Sequence, residues 1–314
     1  MENKEYYPEI TLLKGIAILL VVMGHALPSC IDQNLWYNSF ACYIIGTPQM
    51  AMFFIASGFL FSESISWKDF LNKKVRRLLV PYVSYWAIVA FLHVILSSYT
   101  LSGSYSFKDS IIFLFTGGIY WFLYVLLLIM IVVRLFQFKY GYLILSAICI
   151  CISFVFLDLP MSANRFFNYT PFFIAGIYIR RHYSDIKSFM SRYQMPFMIG
   201  FCLLFVVTYF VIPETLFLGK MFGTLMFAFI CLYINVKNKC GRILSYFGKY
   251  SLQYYINHLL IGTVAIKIAS RFVFDSSLSC YVQWLMVFSL MLLFSFVGFE
   301  IQKRLKFLRI ISGL

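Results

Sequence analysis

Predominantly apolar stretches, each about as long as a membrane-crossing helix, recur along this 314-residue sequence. A transmembrane helix needs about 20 mostly apolar residues. Ten such windows occur, at approximately residues 10–29, 42–62, 78–98, 117–136, 140–157, 166–180, 195–213, 217–235, 243–267 and 280–302. They lack the alternating polarity of a barrel strand. The sequence therefore predicts an all-α, polytopic membrane bundle of about ten transmembrane helices.

The basic residues indicate how this bundle is oriented. Of the 26 Lys and Arg residues, 20 fall in the termini and loops on one side of the predicted spans, and five fall on the other. Because basic residues accumulate in cytoplasmic loops, we expect both termini to be cytoplasmic. The same rule, with attraction to anionic headgroups, accounts for the net charge of +14 without a nucleic-acid partner.

The chain is predicted to be a single membrane domain over residues 1–314. It contains no internal repeat, phosphate-binding loop, dinucleotide fingerprint or Cys–His spacing typical of a metal site. We therefore expect neither a bound metal nor a permanently bound cofactor. Cys30, Cys42 and Cys280 are predicted near the outer face, where a disulfide is an open alternative.

The first predicted span carries two ionisable residues, Lys14 and His25. Eleven helical residues turn through about 1100°, so the two side chains share one face and lie roughly 16 Å apart along the axis. Ionisable groups in a span usually face the bundle interior or a wet cavity. The alternative is that Lys14 extends to the inner headgroups and His25 is a packed, hydrogen-bonded ring.

Two further segments are candidate contacts. "FFIASGFLF" places Ser57 and Gly58 in the second span, where small residues are also common packing devices. "KKVRRLLVPY" places Lys74 and Arg77 three residues apart, on one side if the segment is helical. Such a pair suits phosphate groups, although a basic segment also suits a solvated inner surface.

Later in the sequence, Trp121 follows two glycines at the start of the fourth span, where aromatic residues also form interfacial belts. His258 lies in the ninth span after a series of tyrosines. Of the two other histidines, His93 in the third span has no motif around it and His182 lies in a basic loop on the inner side, and neither receives a role.

Together these stretches resemble the acyltransferase-3 family of integral membrane acyltransferases. The matching positions are, in order, Lys14 and His25; Phe53, Phe54, Ser57, Gly58, Phe59 and Leu60; Lys74, Arg77, Pro81 and Tyr82; Trp121, Phe122 and Leu123; and Tyr254 and His258. Five motifs in the same order, over residues 12–258, form a specific signal.

The resemblance implies transfer of an acyl group, usually acetyl, from cytoplasmic acyl-CoA to a hydroxyl of a cell-surface carbohydrate or lipid-linked glycan. It implies His25 as the catalytic residue, either a general base or a transient acyl carrier. Lys14, Lys74, Arg77, Ser57, Gly58, Trp121 and His258 are then donor-binding or supporting residues. The expected location is the bacterial-type plasma (inner) membrane, and the expected partners are acyl-CoA, the acceptor and membrane lipids.

The sequence leaves other classes of function open. A transporter or flippase for a glycolipid or a small polar solute would also have many spans and an intramembrane histidine, although inverted repeats or broken helices are more typical of that class. A membrane scaffold would leave the histidine and the ordered motifs unexplained. Consumption of acyl-CoA discriminates the enzyme from both.

Overall fold

In a computed structural model, the described residues are 6–96, 107–155, 159–211, 216–269, 271 and 277–314, and they contain helices and no strands. The α-helices are α1 (Pro8–His25), α2 (Trp36–Gly46), α3 (Gln49–Phe59), α4 (Trp67–Lys74), α5 (Val80–Leu96), α6 (Phe107–Thr116), α7 (Trp121–Leu135), α8 (Gly141–Val155), α9 (Met161–Arg181), α10 (Tyr183–Arg192), α11 (Gln194–Phe210), α12 (Leu216–Tyr233), α13 (Lys239–Lys249), α14 (Ser251–Ala269), α15 (Ser277–Arg304) and α16 (Lys306–Ile311). A π-helix (Val75–Leu79) joins α4 to α5, and a 3₁₀ turn (Gly118–Tyr120) precedes α7.

The prediction of an all-α membrane protein is confirmed at the level of class. Six helical stretches are long and apolar enough to cross a membrane, namely Pro8–His25, Trp36–Phe59, Trp67–Leu92, Ile111–Leu135, Leu216–Tyr233 and Cys280–Arg304. A seventh would be the pair α10 and α11, which is bent by 88°. The number ten and the orientation of the termini stay predictions.

Several predicted spans differ in detail from the helices. The span predicted at 42–62 consists of α2 and α3, which are interrupted at Thr47 and Pro48. The span predicted at 243–267 consists of α13 and α14, which meet at Tyr250. The ends of three predicted spans, at residues 97–98, 156–157 and 212–213, lie outside the described residues.

The chain divides into two compact units. Unit 1 consists of Met1–Phe61, Ala175–Leu252 and Phe274–Leu285, and unit 2 consists of Ser62–Ile174, Gln253–Val273 and Met286–Leu314. The motifs are divided between them. Unit 1 carries Lys14, His25, Ser57 and Gly58, and unit 2 carries Lys74, Arg77, Trp121 and His258.

Helix α1 is the central element of unit 1, and α2, α3, α12 and α13 pack against it. Pro8 and Glu9 start α1, as expected from the fixed φ of proline and the attraction of an acidic side chain to a helix N-terminus. At Gly15 and Gly248, α1 and α13 approach so closely that a Cβ would overlap a backbone carbonyl of the opposite helix. A disulfide between Cys30 and Cys280 links the segment after α1 to α15.

Unit 2 is held together by polar contacts among its buried side chains. Gln302 donates to Asn257 Oδ1 at 2.6 Å, Asn257 donates back to Gln302 Oε1 at 3.3 Å, and Gln302 also donates to the Tyr85 hydroxyl. The Arg134 guanidinium donates to the carbonyls of Glu63 and Ile65. These bonds satisfy polar groups that would be costly to leave unpaired in an apolar interior.

Candidate functional site

His25 is the last residue of α1, and its ring is partly held by the helix itself. The ring Nδ1 lies 2.9 Å from the carbonyl oxygen of Val21, one turn earlier. A carbonyl can only accept, so Nδ1 carries the hydrogen and the neutral ring has its lone pair on Nε2. The side chain is exposed at the end of the helix. In this tautomer Nε2 is the nucleophilic nitrogen of the ring.

The ring of His25 lines a small cavity within unit 1, of about 210 Å³, which we call the His25 cavity. The other residues that line it are Gly24, Leu27, Cys42, Ile45, Gly46, Gln49 and Trp284. The Trp284 indole donates to the Met23 carbonyl at 2.9 Å, which fixes the indole against the last turn of α1. That carbonyl is among the last four of the helix, which have no partner within an α-helix.

Gln49 contributes the polar amide of the His25 cavity. Its Oε1 atom is buried and has no hydrogen-bond partner among the residues that the structure describes. Its Nε2 lies 4.0 Å from where a Cβ on Gly24 would stand, so a larger residue at position 24 would narrow the cavity. A buried amide oxygen without a partner costs free energy, so this oxygen is an acceptor that a ligand in the cavity can satisfy.

Lys14 lies on the same unbroken helix as His25. The eleven-residue separation therefore gives the predicted rise of roughly 16 Å. Lys14 is partly buried and adjoins Gly15, where α1 touches α13. The structure thus places His25 at the end of α1 and Lys14 about three turns earlier, in the first half of the helix.

Ser57 and Gly58 lie near the end of α3, away from the residues that line the His25 cavity. The neighbouring backbone makes a close helix contact, because a Cβ on Gly176 of α9 would overlap the Ile55 carbonyl. Ser57 is partly buried and Gly58 is buried. This motif therefore lies where α3 packs closely against α9.

The basic segment of unit 2 continues from α4 into the π-helix. Arg76 and Arg77 line a cavity of about 480 Å³ together with Val80 and residues at the C-terminal end of the chain, Ile310, Gly313 and Leu314. Lys74 does not line it, and its Nζ lies 5.9 Å from the Phe70 ring. Of the predicted pair, Arg77 lines this cavity, where its basic neighbour is Arg76.

The two remaining candidates lie elsewhere in unit 2. Trp121 begins α7, and its ring is stacked on Tyr169 with centroids 5.7 Å apart. On the same indole lies the Arg165 guanidinium, 4.2 Å from the ring centroid. His258 is fully buried, and its Nδ1 lies 3.1 Å from the Tyr254 carbonyl.

Sequence reasoning missed several residues that surround these candidates. Gln49 and Trp284 in the His25 cavity were not singled out, and Arg165 was only one of the five basic residues predicted on the outer side. An uncharged amide at the start of an apolar helix was the available signal for Gln49. Trp284 approaches α1 only through the tertiary fold, so no local pattern identifies it.

The helices and the histidine at the end of an apolar span define a multi-pass membrane protein with a candidate catalytic cavity. The sequence matches the family described as "Acyltransferase domain" (Acyl_transf_3) over residues 7–299. Because the match covers nearly the whole chain, the protein belongs to this acyltransferase-3 family, and the predicted resemblance is confirmed. No curated protein and no solved structure matches the chain significantly.

Proposed function

We propose that this protein is a membrane O-acyltransferase that moves an acyl group, most simply acetyl, from cytoplasmic acyl-CoA to a hydroxyl of a cell-surface carbohydrate or lipid-linked glycan. Membership of the family gives the reaction class. The observation that carries the proposal is the geometry of His25, whose Nδ1 is held by Val21 and whose ring lines a cavity.

Two routes are consistent with this geometry. In the first, His25 Nε2 takes the proton of the acceptor hydroxyl as its oxygen attacks the thioester carbonyl, and the imidazolium then protonates the departing thiolate. In the second, Nε2 attacks the carbonyl itself and expels CoA as the thiolate, which leaves a cationic acyl-imidazole. The acceptor oxygen then takes the acyl group, its proton passes to the CoA thiolate, and the neutral imidazole is restored. Both routes use the same nitrogen, and imidazole exchanges protons near neutral pH.

The donor is proposed to bind through the basic segment of unit 2. CoA carries phosphates, and arginine offers two parallel N–H donors to such groups. Arg76 and Arg77 line one cavity, and Lys74 precedes them in the chain. Lys14, Ser57, Gly58, Trp121 and His258 are proposed as supporting residues on the strength of the family pattern.

The proposed topology has ten spans with both termini in the cytoplasm of a bacterial-type plasma membrane. The disulfide between Cys30 and Cys280 supports it, because disulfides persist outside the reducing cytoplasm. The segment that follows His25 would then lie on the outer side. Lys14 would lie toward the cytoplasmic end of α1.

Binding of radiolabelled acetyl-CoA to the protein in lipid nanodiscs, followed by release of free CoA, tests this function. We expect the wild type to bind and slowly hydrolyse the donor without any acceptor. The Arg76→Gln/Arg77→Gln variant should lose binding about tenfold or more, since bonds to charged groups contribute roughly 1.5–3 kcal/mol each. The matched Arg181→Gln/Arg192→Gln variant, which removes two exposed cations of unit 1, should bind like the wild type.

A protein that neither binds nor consumes acetyl-CoA or another acyl-CoA would contradict the proposal. Counterflow of a labelled glycolipid by such a protein would favour the transporter instead.

A further inference from the structure

Unit 2 contains a larger cavity, of about 770 Å³, which we call the aromatic cavity. Its walls are formed by α5, the end of α6 with the following 3₁₀ turn, the start of α7 and the start of α9. The aromatic side chains in the lining are Tyr82, Trp86, Phe113, Phe115, Tyr120, Tyr124, Phe166 and Phe167. A volume of this size is typical of a ligand site.

The polar groups of the lining are mostly engaged with the backbone. The Tyr82 hydroxyl donates to the Leu114 carbonyl at 2.6 Å, and the Tyr120 hydroxyl donates to the Ile256 carbonyl at 3.3 Å. Thr116 and Ser162 likewise donate to backbone carbonyls. The interior of the cavity is therefore suited to an apolar occupant.

Arg165 is the one charged residue of this lining. Its guanidinium is stacked over Trp121, and this contact stabilises the cation through its face while its N–H edge can still donate. In the described part of the chain, no carboxylate forms an ion pair with Arg165. A partly buried arginine without a carboxylate partner is suited to bidentate contact with a phosphate.

The margin of the aromatic cavity is apolar as well. Two of its lining residues, Phe115 and Ile119, are 69% and 48% exposed. The neighbouring Ile111 and Ile112 of α6 are also exposed. In a membrane protein such a surface faces lipid tails, so a ligand with an apolar chain can enter from the bilayer without crossing water.

We propose that the aromatic cavity binds a membrane lipid phosphate, with the apolar chain among the aromatic side chains and the phosphate on Arg165. This inference concerns unit 2 alone and does not depend on acyl transfer by His25. It identifies the chemical class of the ligand: a long apolar chain that ends in a phosphate, as opposed to a free sugar or inorganic phosphate.

Quenching of tryptophan fluorescence by a terminally brominated dodecyl phosphate tests the proposal, because Trp86 lines the cavity. The protein is studied in zwitterionic nanodiscs, with brominated dodecanol as the uncharged probe. Wild type should be quenched by the phosphate at lower concentration than by the alcohol, and inorganic phosphate should not compete. Arg165→Gln should weaken binding of the phosphate about tenfold or more and leave binding of the alcohol unchanged. Arg271→Gln, which removes an exposed cation, should change neither.

A second pair of variants tests the cavity itself. Ala90 lines the cavity, whereas Ala87 is exposed on the same helix. Ala90→Phe should reduce binding of both probes, and Ala87→Phe should reduce neither. The proposal is overturned if Arg165→Gln weakens both probes equally, if inorganic phosphate displaces the lipid, or if the two phenylalanine variants behave alike. None of these readouts requires acyl transfer, so the proposed function can fail while this inference stands.

Discussion

At the scale of single residues, the central feature is His25 at the end of a largely apolar helix. The bond from Nδ1 to the Val21 carbonyl sets which ring nitrogen has the lone pair. Many polar residues are tolerated at the end of an apolar helix, so the location of His25 does not by itself indicate a role. The hydrogen bond also fixes the orientation of the ring, which is why Nε2 is the proposed reacting nitrogen.

Gln49 provides a prediction at the same scale. Replacing it with Met removes a buried amide whose oxygen has no partner among the described residues, while the volume stays similar. We expect the thermal midpoint of unfolding to stay constant or rise, because such replacements are nearly neutral or stabilising. Turnover of acyl-CoA should fall, since the amide is proposed to accept a hydrogen bond from the bound ligand.

Parallel thermal unfolding and CoA-release assays measure both quantities. A Gln49→Met protein that keeps full turnover would show that the amide has no part in the reaction.

At the scale of elements, the contact between α1 and α13 positions the helix that carries both Lys14 and His25. Gly15 and Gly248 face the opposite backbone, so neither position has room for a Cβ. Small residues allow this kind of close helix packing in membranes.

Gly248→Ala should therefore lower the free energy of unfolding by about 1–3 kcal/mol, as overpacking does. Gly200 in α11 is the matched control, because a Cβ there meets nothing within 4 Å. Gly200→Ala should be neutral or stabilising by up to about 1 kcal/mol, as expected from helix propensity. Chemical or thermal unfolding of the two variants in the same detergent compares them. Equal stability would mean that α1 and α13 are not in close contact.

The elements also show why part of the structure could be predicted. Hydropathy identifies an apolar helix regardless of its partners, so α1, α12 and α15 were expected close to their observed bounds. The points at which a predicted span is broken into two helices depend on tertiary contacts. The break between α13 and α14 at Tyr250, for example, has no strong signal in the sequence. A π-helix at Val75–Leu79 interrupts the basic segment between α4 and α5, and Arg76 and Arg77 both lie on it.

At the scale of the whole molecule, the candidate residues and the cavities are divided between the two units. Unit 1 contains a histidine in a small cavity, and unit 2 contains paired arginines and an aromatic cavity with Arg165. Motif order along the chain identified the family, yet it did not indicate this division. Nor could local patterns have identified Trp284 or Arg165, because the importance of each arises from contacts made by distant segments.

The disulfide is a long-range constraint on unit 1. Cys30 and Cys280 are 250 residues apart in sequence, and they link the segment after His25 to α15. Cys30→Ser/Cys280→Ser should lower the free energy of unfolding by about 2–5 kcal/mol, as removal of a native disulfide typically does. Thermal unfolding measures this effect, and Cys240→Ser, at an exposed free cysteine, should leave it unchanged. An equal loss in the two proteins would argue that the bridge has no specific role.

The most direct test of the account is a single-turnover measurement of CoA release from radiolabelled acetyl-CoA in nanodiscs, for the wild type, His25→Ala and His182→Ala. His182 is an exposed histidine without a proposed role, which makes it the matched control. We expect His25→Ala to bind the donor still but to release CoA at least about 100-fold more slowly, a typical loss for a general base. His182→Ala should release CoA at the wild-type rate. Release by His25→Ala at the wild-type rate would contradict the assignment of His25 as the catalytic residue.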